Sequence, residues 1–127
     1  MRREQSYRAA VDSLRPPRYH AWADGDMGIN VRLKRETGEV LAEVGDPHMV
    51  LSRATHRAFA ETRLLRYVVP WGDTVFNQAQ ADDLAADLRN VTNAHPDTPL
   101  SALLSELEPL VQALSREAHA YLWFVGD

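Results

Sequence analysis

The residues Arg63 to Leu88, RLLRYVVPWGDTVFNQAQADDLAADL, constrain the fold most, because the apolar period changes within them. Leu64, Leu65, Tyr67, Val68 and Val69 form a short run with aromatic and β-branched members and one charge, Arg66. Such a run predicts a mostly buried strand. Pro70 ends it, because proline brings no N–H to a ladder. Pro70-Trp71-Gly72 predicts a turn, with a fixed φ at Pro70 and freedom at Gly72. Thr74 to Phe76 predict a brief second extended piece. Asn77 then suits an N-cap, and Gln80 three residues on completes a capping box. Ala81, Leu84, Ala85, Leu88 and Val91 follow at helical spacing to about Thr92, with Asp82, Asp83, Asp87 and Arg89 on the other face.

The flanking sequence supplies a hairpin on one side and helices on the other. Over Met27 to Lys34, Ile29, Val31 and Leu33 alternate with Asn30, Arg32 and Lys34, which predicts a strand with one covered face. Glu36-Thr37-Gly38-Glu39 turns the chain and Val40 to Val44 returns, making a β-hairpin. Arg32, Lys34 and Arg35 are then expected on its wet face. Asp46-Pro47 suits N-cap and N1 of a helix with Val50, Leu51, Ala54 and Ala58 inside. Asp97 or Thr98 caps a further helix with Pro99 in its first turn, and Leu100, Leu103, Leu104 and Leu107 form its stripe. Pro109 should kink or split it. Leu110, Val111, Leu114, Ala118, Tyr121, Leu122 and Val125 keep helical spacing, so the helix is expected to run almost to the end, with Gly126 as C′. A closing strand over Ala120 to Val125 is the alternative. Tyr7, Ala10, Val11 and Leu14 predict a short helix before Pro16-Pro17.

These elements imply an α+β fold. An N-terminal β-hairpin sits in a small antiparallel sheet packed against two to four helices, and the C-terminal half is mainly helical. The 127 residues suit one domain, with residues 1–18 as a loosely attached N-terminal helix.

There is no cysteine, which excludes disulfides, thiol nucleophiles and Cys-based zinc sites and fits a reducing, cytoplasmic setting. No apolar h-region follows Arg2 and Arg3, so no secretory signal is expected. The apolar run Tyr121 to Val125 is too short to span a bilayer. Net charge is −4 and unevenly placed: residues 1–66 carry +3 and residues 67–127 carry −7. The acidic second half disfavours nucleic acid and favours a protein partner with a basic surface.

The words RYVVPWGDTVFNQAQ and YLWFVGD resemble a family of small uncharacterised bacterial proteins that carry a GDTVFN-x-x-Q word and end in YL-x-F-x-GD. Here those words run from Gly72 to Gln80 and from Tyr121 to Asp127. The family has no established activity, so the resemblance implies which residues matter without implying a chemistry.

Dinucleotide, P-loop, nucleophile-elbow and metalloprotease motifs are absent. No cofactor and no metal site are expected. His48 and His56, eight residues apart, would lie roughly 12 Å apart along a straight helix, too far to share a metal. The best catalytic candidates are Asp73, directly after the Pro-Trp-Gly turn, and a His119–Asp127 acid/base pair. Trp71, Asp73, Thr74, Asn77 and Gln80 are candidates for lining a ligand pocket; alternatively Asp73 and Thr74 bond turn N–H groups while Asn77 caps the helix. Two functions follow. One is a small cytoplasmic bacterial protein that binds another macromolecule, of the immunity or accessory type, without catalysis and without membrane or nucleic acid; a homodimer stays open. The other is a small enzyme or ligand-binding protein with a polar pocket at the Gly72–Gln80 turn. Convergence of Asp73, Asn77 and a histidine on one cleft would favour the second.

Overall fold

The computed structural model describes residues 28–126. The helix expected within residues 1–18 and the C-terminal Asp127 lie outside them. Strands β1 (Asn30–Arg35), β2 (Val40–Val44), β3 (Asp73–Phe76) and β4 (Ala120–Val125) form one antiparallel sheet in the order β2-β1-β4-β3. The α-helices are α1 (Val50–Ala54), α2 (Ala81–Ala94) and α3 (Pro99–Arg116). The fold is α+β, with the hairpin as half of the sheet and the C-terminal half mainly helical.

The hairpin follows its alternation. Ile29, Val31 and Leu33 are buried. Gly38 adopts φ 97° in the turn, where its N–H donates to the Arg35 carbonyl at 2.8 Å. A bulge between Leu33 and Lys34 shifts the register, so that Lys34 faces Val40. The outward side chains are less wet than expected. Arg32 faces Glu43 on one side and Trp123 on the other. Its Nε lies 2.7 Å from the Glu43 carboxylate, and the two side chains are only 16% and 7% exposed. Lys34 stands 4.4 Å over the Trp123 ring. Arg35 alone of the three is exposed, between Glu39 and Glu117.

Ala120 to Val125 is a strand, which corrects the expected helix. Helical spacing survives through Leu114, but α3 ends at Arg116 and His119 takes φ 62°. Ala120, Leu122 and Phe124 are then buried while Tyr121, Trp123 and Val125 are half-buried, a period of two. Large aromatic and β-branched side chains suit the pleat, and the segment fills the slot between β1 and β3. Phe124 meets Phe76 edge-on at 5.7 Å. Gly126 therefore closes a strand rather than a helix.

Leu64 to Val69 is not a strand. Leu65–Tyr67 form a single 3-10 turn. The cause is Asp87, expected on the outer face of α2 but 2% exposed. Its carboxylate accepts the backbone N–H groups of Arg63 at 3.0 Å, Leu64 at 2.8 Å and Leu65 at 3.2 Å. Donors satisfied by a side chain need no neighbouring strand. Leu65 and Val68 still bury their side chains.

Asp87 apart, the predicted apolar stripes of α2 and α3 face inward. The Asn77 N–H donates to Gln80 Oε1 at 2.8 Å, and a 3-10 turn over Gln78–Gln80 leads into α2. Thr98 caps α3: its Oγ1 accepts from the Ser101 N–H at 3.1 Å, and its own N–H donates to Ser101 Oγ at 3.1 Å. Pro109 does not split α3; it is exposed, so the Ser105 carbonyl that loses a donor lies on the watered side. Asp46 caps α1 from further upstream than expected, accepting the Val50 and Leu51 N–H groups at 2.7 and 2.8 Å. α1 is one turn long, and Phe59 beyond it is fully buried. The buried apolar side chains form one cluster, between the sheet and α3 with α1 and α2 beside it. Each fully buried Leu or Phe there contributes about 1.5–3 kcal/mol.

Candidate interaction surface

The Pro70-Trp71-Gly72 turn is held from behind. The Gly126 N–H donates to the Gly72 carbonyl at 2.8 Å. A Cβ at Gly126 would come within 2.6 Å of the Pro70 carbonyl, so only glycine lets the two backbones approach this closely. The end of β4 thus seats the turn before β3. The two sequence words quoted above are neighbours in space, paired along β3 and β4.

A seated turn presents its side chains outward. Trp71 is 71% exposed, Tyr67 57% and Val75 41%. These are the large hydrophobic residues exposed among the described residues, and all three lie on or next to β3. β3 is an outer strand of the described sheet. The Arg66 guanidinium lies 5.0 Å from the Tyr67 ring centroid and bonds its hydroxyl at 3.1 Å, which fixes the ring. Asp73, at the start of β3, is exposed, and its carboxylate accepts no hydrogen bond among the described residues. The expected turn bonds from Asp73 are therefore not formed.

The other candidates at this turn hold the fold. Thr74 Oγ1 donates to the Tyr67 carbonyl at 3.3 Å, tying β3 to the 3-10 turn. Asn77 and Gln80 start α2. Trp71 and Asp73 are left facing outward without such a task.

His119 lies at the opposite end of β4. Asp73 pairs with Val125, and His119 precedes Ala120, so about six strand residues, roughly 20 Å, separate them. His119 is exposed, with Nδ1 3.2 Å from Glu36. Asp127, its expected partner, lies outside the described residues. The structure does not bring Asp73, Asn77 and His119 into one cleft. His48, His56 and His95 are also exposed, and no group of three potential metal ligands occurs among the described residues. No described helix is long and apolar enough to cross a membrane.

Sequence reasoning missed Asp87, although a signal existed. Asp87 stands three residues after Leu84 and four before Val91, on the apolar stripe rather than opposite it. Residue type alone had placed it outside. Tyr67 and Val75 were missed because a strand pattern does not say which apolar side chains stay uncovered.

Comparison with protein-family models, with curated proteins and with solved structures finds no match to this chain.

Proposed function

We propose that this is a small bacterial cytoplasmic protein of the immunity or accessory type, which acts by binding another protein and has no catalysis of its own. The observation that carries this reading is the exposure of Tyr67, Trp71 and Val75, on an outer strand and in the turns that lead into it. Exposed large aromatic side chains are the residues that interfaces favour as energetic centres. An outer strand also offers unpaired backbone groups to an incoming strand.

The partner presents basic residues, because the exposed Asp73 starts the same strand, two residues after Trp71, and the chain is acidic after residue 66. That excess is partly neutralised internally. Asp83 pairs with Arg63, Glu117 with Arg35, and Asp87 serves the backbone. Nucleic acid and membrane are not its targets. The reading as an enzyme or ligand-binding protein at Gly72–Gln80 has less support, since the side chains of Thr74 and Gln80 are engaged by backbone groups.

The test is affinity capture from the source cells with wild type and with Trp71→Ala, followed by calorimetry on the recovered partner. Trp71→Ala should keep the wild-type melting temperature and lower affinity by about thirtyfold or more, the range of a central aromatic contact. Binding should weaken as salt rises. A partner that binds Trp71→Ala as well as wild type overturns the assignment of this surface.

A further inference from the structure

A hollow of about 280 Å³ lies between α1 with the turns after it and the turn that enters α3. Its floor is aliphatic, with Val50, Ala54 and Leu100, and its rim carries Arg53, Arg57 and His95. A second hollow of about 350 Å³ lies next to this groove and shares Val50 and Pro99 with it at the first turn of α3.

The charges on this rim are unanswered. Arg32, Arg35 and Arg63 each face a carboxylate, whereas Arg66, Arg89 and Arg116, away from this rim, have no ion pair among the described residues. Arg53 and Arg57 are exposed, and neither has an ion pair among the described residues. Glu106 lines the second hollow and has an interaction of its own, while Asp97 lies in the adjoining turn without lining the groove. The His95–Thr98 turn is closed on itself, with Thr98 Oγ1 donating to the His95 carbonyl at 2.7 Å. The His95 ring is left at the rim.

We infer that this groove binds an acidic peptide segment of a partner protein. Arg53 and Arg57 take its carboxylates, and an apolar side chain sits on the aliphatic floor. Guanidinium groups match carboxylates with paired, directed N–H bonds. The segment is a peptide rather than a nucleic acid. The floor has no aromatic ring on which a base could stack. This surface differs in position and in charge from the Trp71 patch, so the inference does not depend on that patch being an interface.

The test is amide-shift NMR on the full chain with three probes: a synthetic heptapeptide with glutamates flanking a central leucine, its lysine counterpart, and an oligothymidylate. The acidic peptide should give saturable shifts over residues 50–58 and 95–103. Arg53→Glu with Arg57→Glu should weaken it by about tenfold or more, as expected when charge-assisted bonds are lost. Both positions are exposed, so the variant should melt with the wild type; Arg53→Gln with Arg57→Gln serves as a milder second pair that should weaken binding in the same direction. Absence of shifts, equal shifts with the lysine peptide, unchanged affinity in both variants, or tighter binding of the oligothymidylate would each overturn the inference.

Discussion

Replacing Asp87 tests the central structural claim, that one buried carboxylate replaces a strand partner for residues 63–65. In Asp87→Asn one oxygen remains, which can still accept from Leu64 and Leu65. The new NH2 group then faces the Arg63 N–H, so a donor opposes a donor. A buried donor left without an acceptor costs about 1–3 kcal/mol. The two surviving bonds also lose their charge assistance, about 1 kcal/mol each. Relief from holding a buried charge offsets part of this, and the net is about 2–3 kcal/mol. Asp87→Ala strands all three donors and should be worse, about 4 kcal/mol. Against a typical total of about 5–15 kcal/mol, both effects are large. Taking about 4 °C per kcal/mol for a chain of this size, Asp87→Asn should melt about 8–12 °C below wild type. Asp82→Asn, exposed on the same helix, is the control and should stay within about 0.5 kcal/mol. Urea unfolding followed by circular dichroism gives the energies. Hydrogen exchange gives the location, since the amides of Arg63, Leu64 and Leu65 should lose protection first in Asp87→Ala. A midpoint for Asp87→Asn equal to that of Asp82→Asn would refute the reasoning.

Two other expectations follow from positions the structure has revised. Val31→Asp puts a charge into the core and should cost several kcal/mol, about 3 or more; Arg32→Asp, on the opposite face, should cost about 2–3 kcal/mol rather than nothing, because the buried Glu43 would face a second carboxylate. A thermal melt of Arg32→Asp indistinguishable from wild type would show that the Arg32–Glu43 pair is not held as described. Asp73→Asn and Asp73→Ala should both melt within about 0.5 kcal/mol of wild type, because the carboxylate holds no turn. With the captured partner, both should weaken binding alike by calorimetry; a stability loss confined to Asp73→Ala would restore Asp73 as a turn residue.

Much of the fold was legible where one period runs long enough to exclude the other. The alternation from Ile29 to Lys34 has no helical reading, and the stripes of α2 and α3 have no strand reading. Legibility failed at Leu64–Val69 and at Ala120–Val125, both short and almost wholly apolar. Periodicity cannot separate strand from helix in such runs. What decided them lies far away in sequence. Ala120–Val125 became a strand because β1 and β3 leave a slot between them, and Leu64–Val69 lost its strand because Asp87, more than twenty residues later, takes its N–H groups.

The candidate surfaces divide along the same line. Pro70, Trp71, Gly72 and Asp73 announce a turn locally, and that is where the exposed aromatic patch lies. Whether the turn encloses a pocket or offers a surface depends on Gly126, which brings the end of β4 against the backbone of Pro70 and Gly72. With that backing in place the turn is held against the end of β4, and Trp71 is left exposed. The groove at α1 had no local signal at all. Arg53 and Arg57 look like an ordinary solvated face until the chain near His95 and Pro99 is folded against them. Folding is what sets these two guanidinium groups, unpaired among the described residues, beside an aliphatic hollow, a juxtaposition that residue type and spacing do not encode locally.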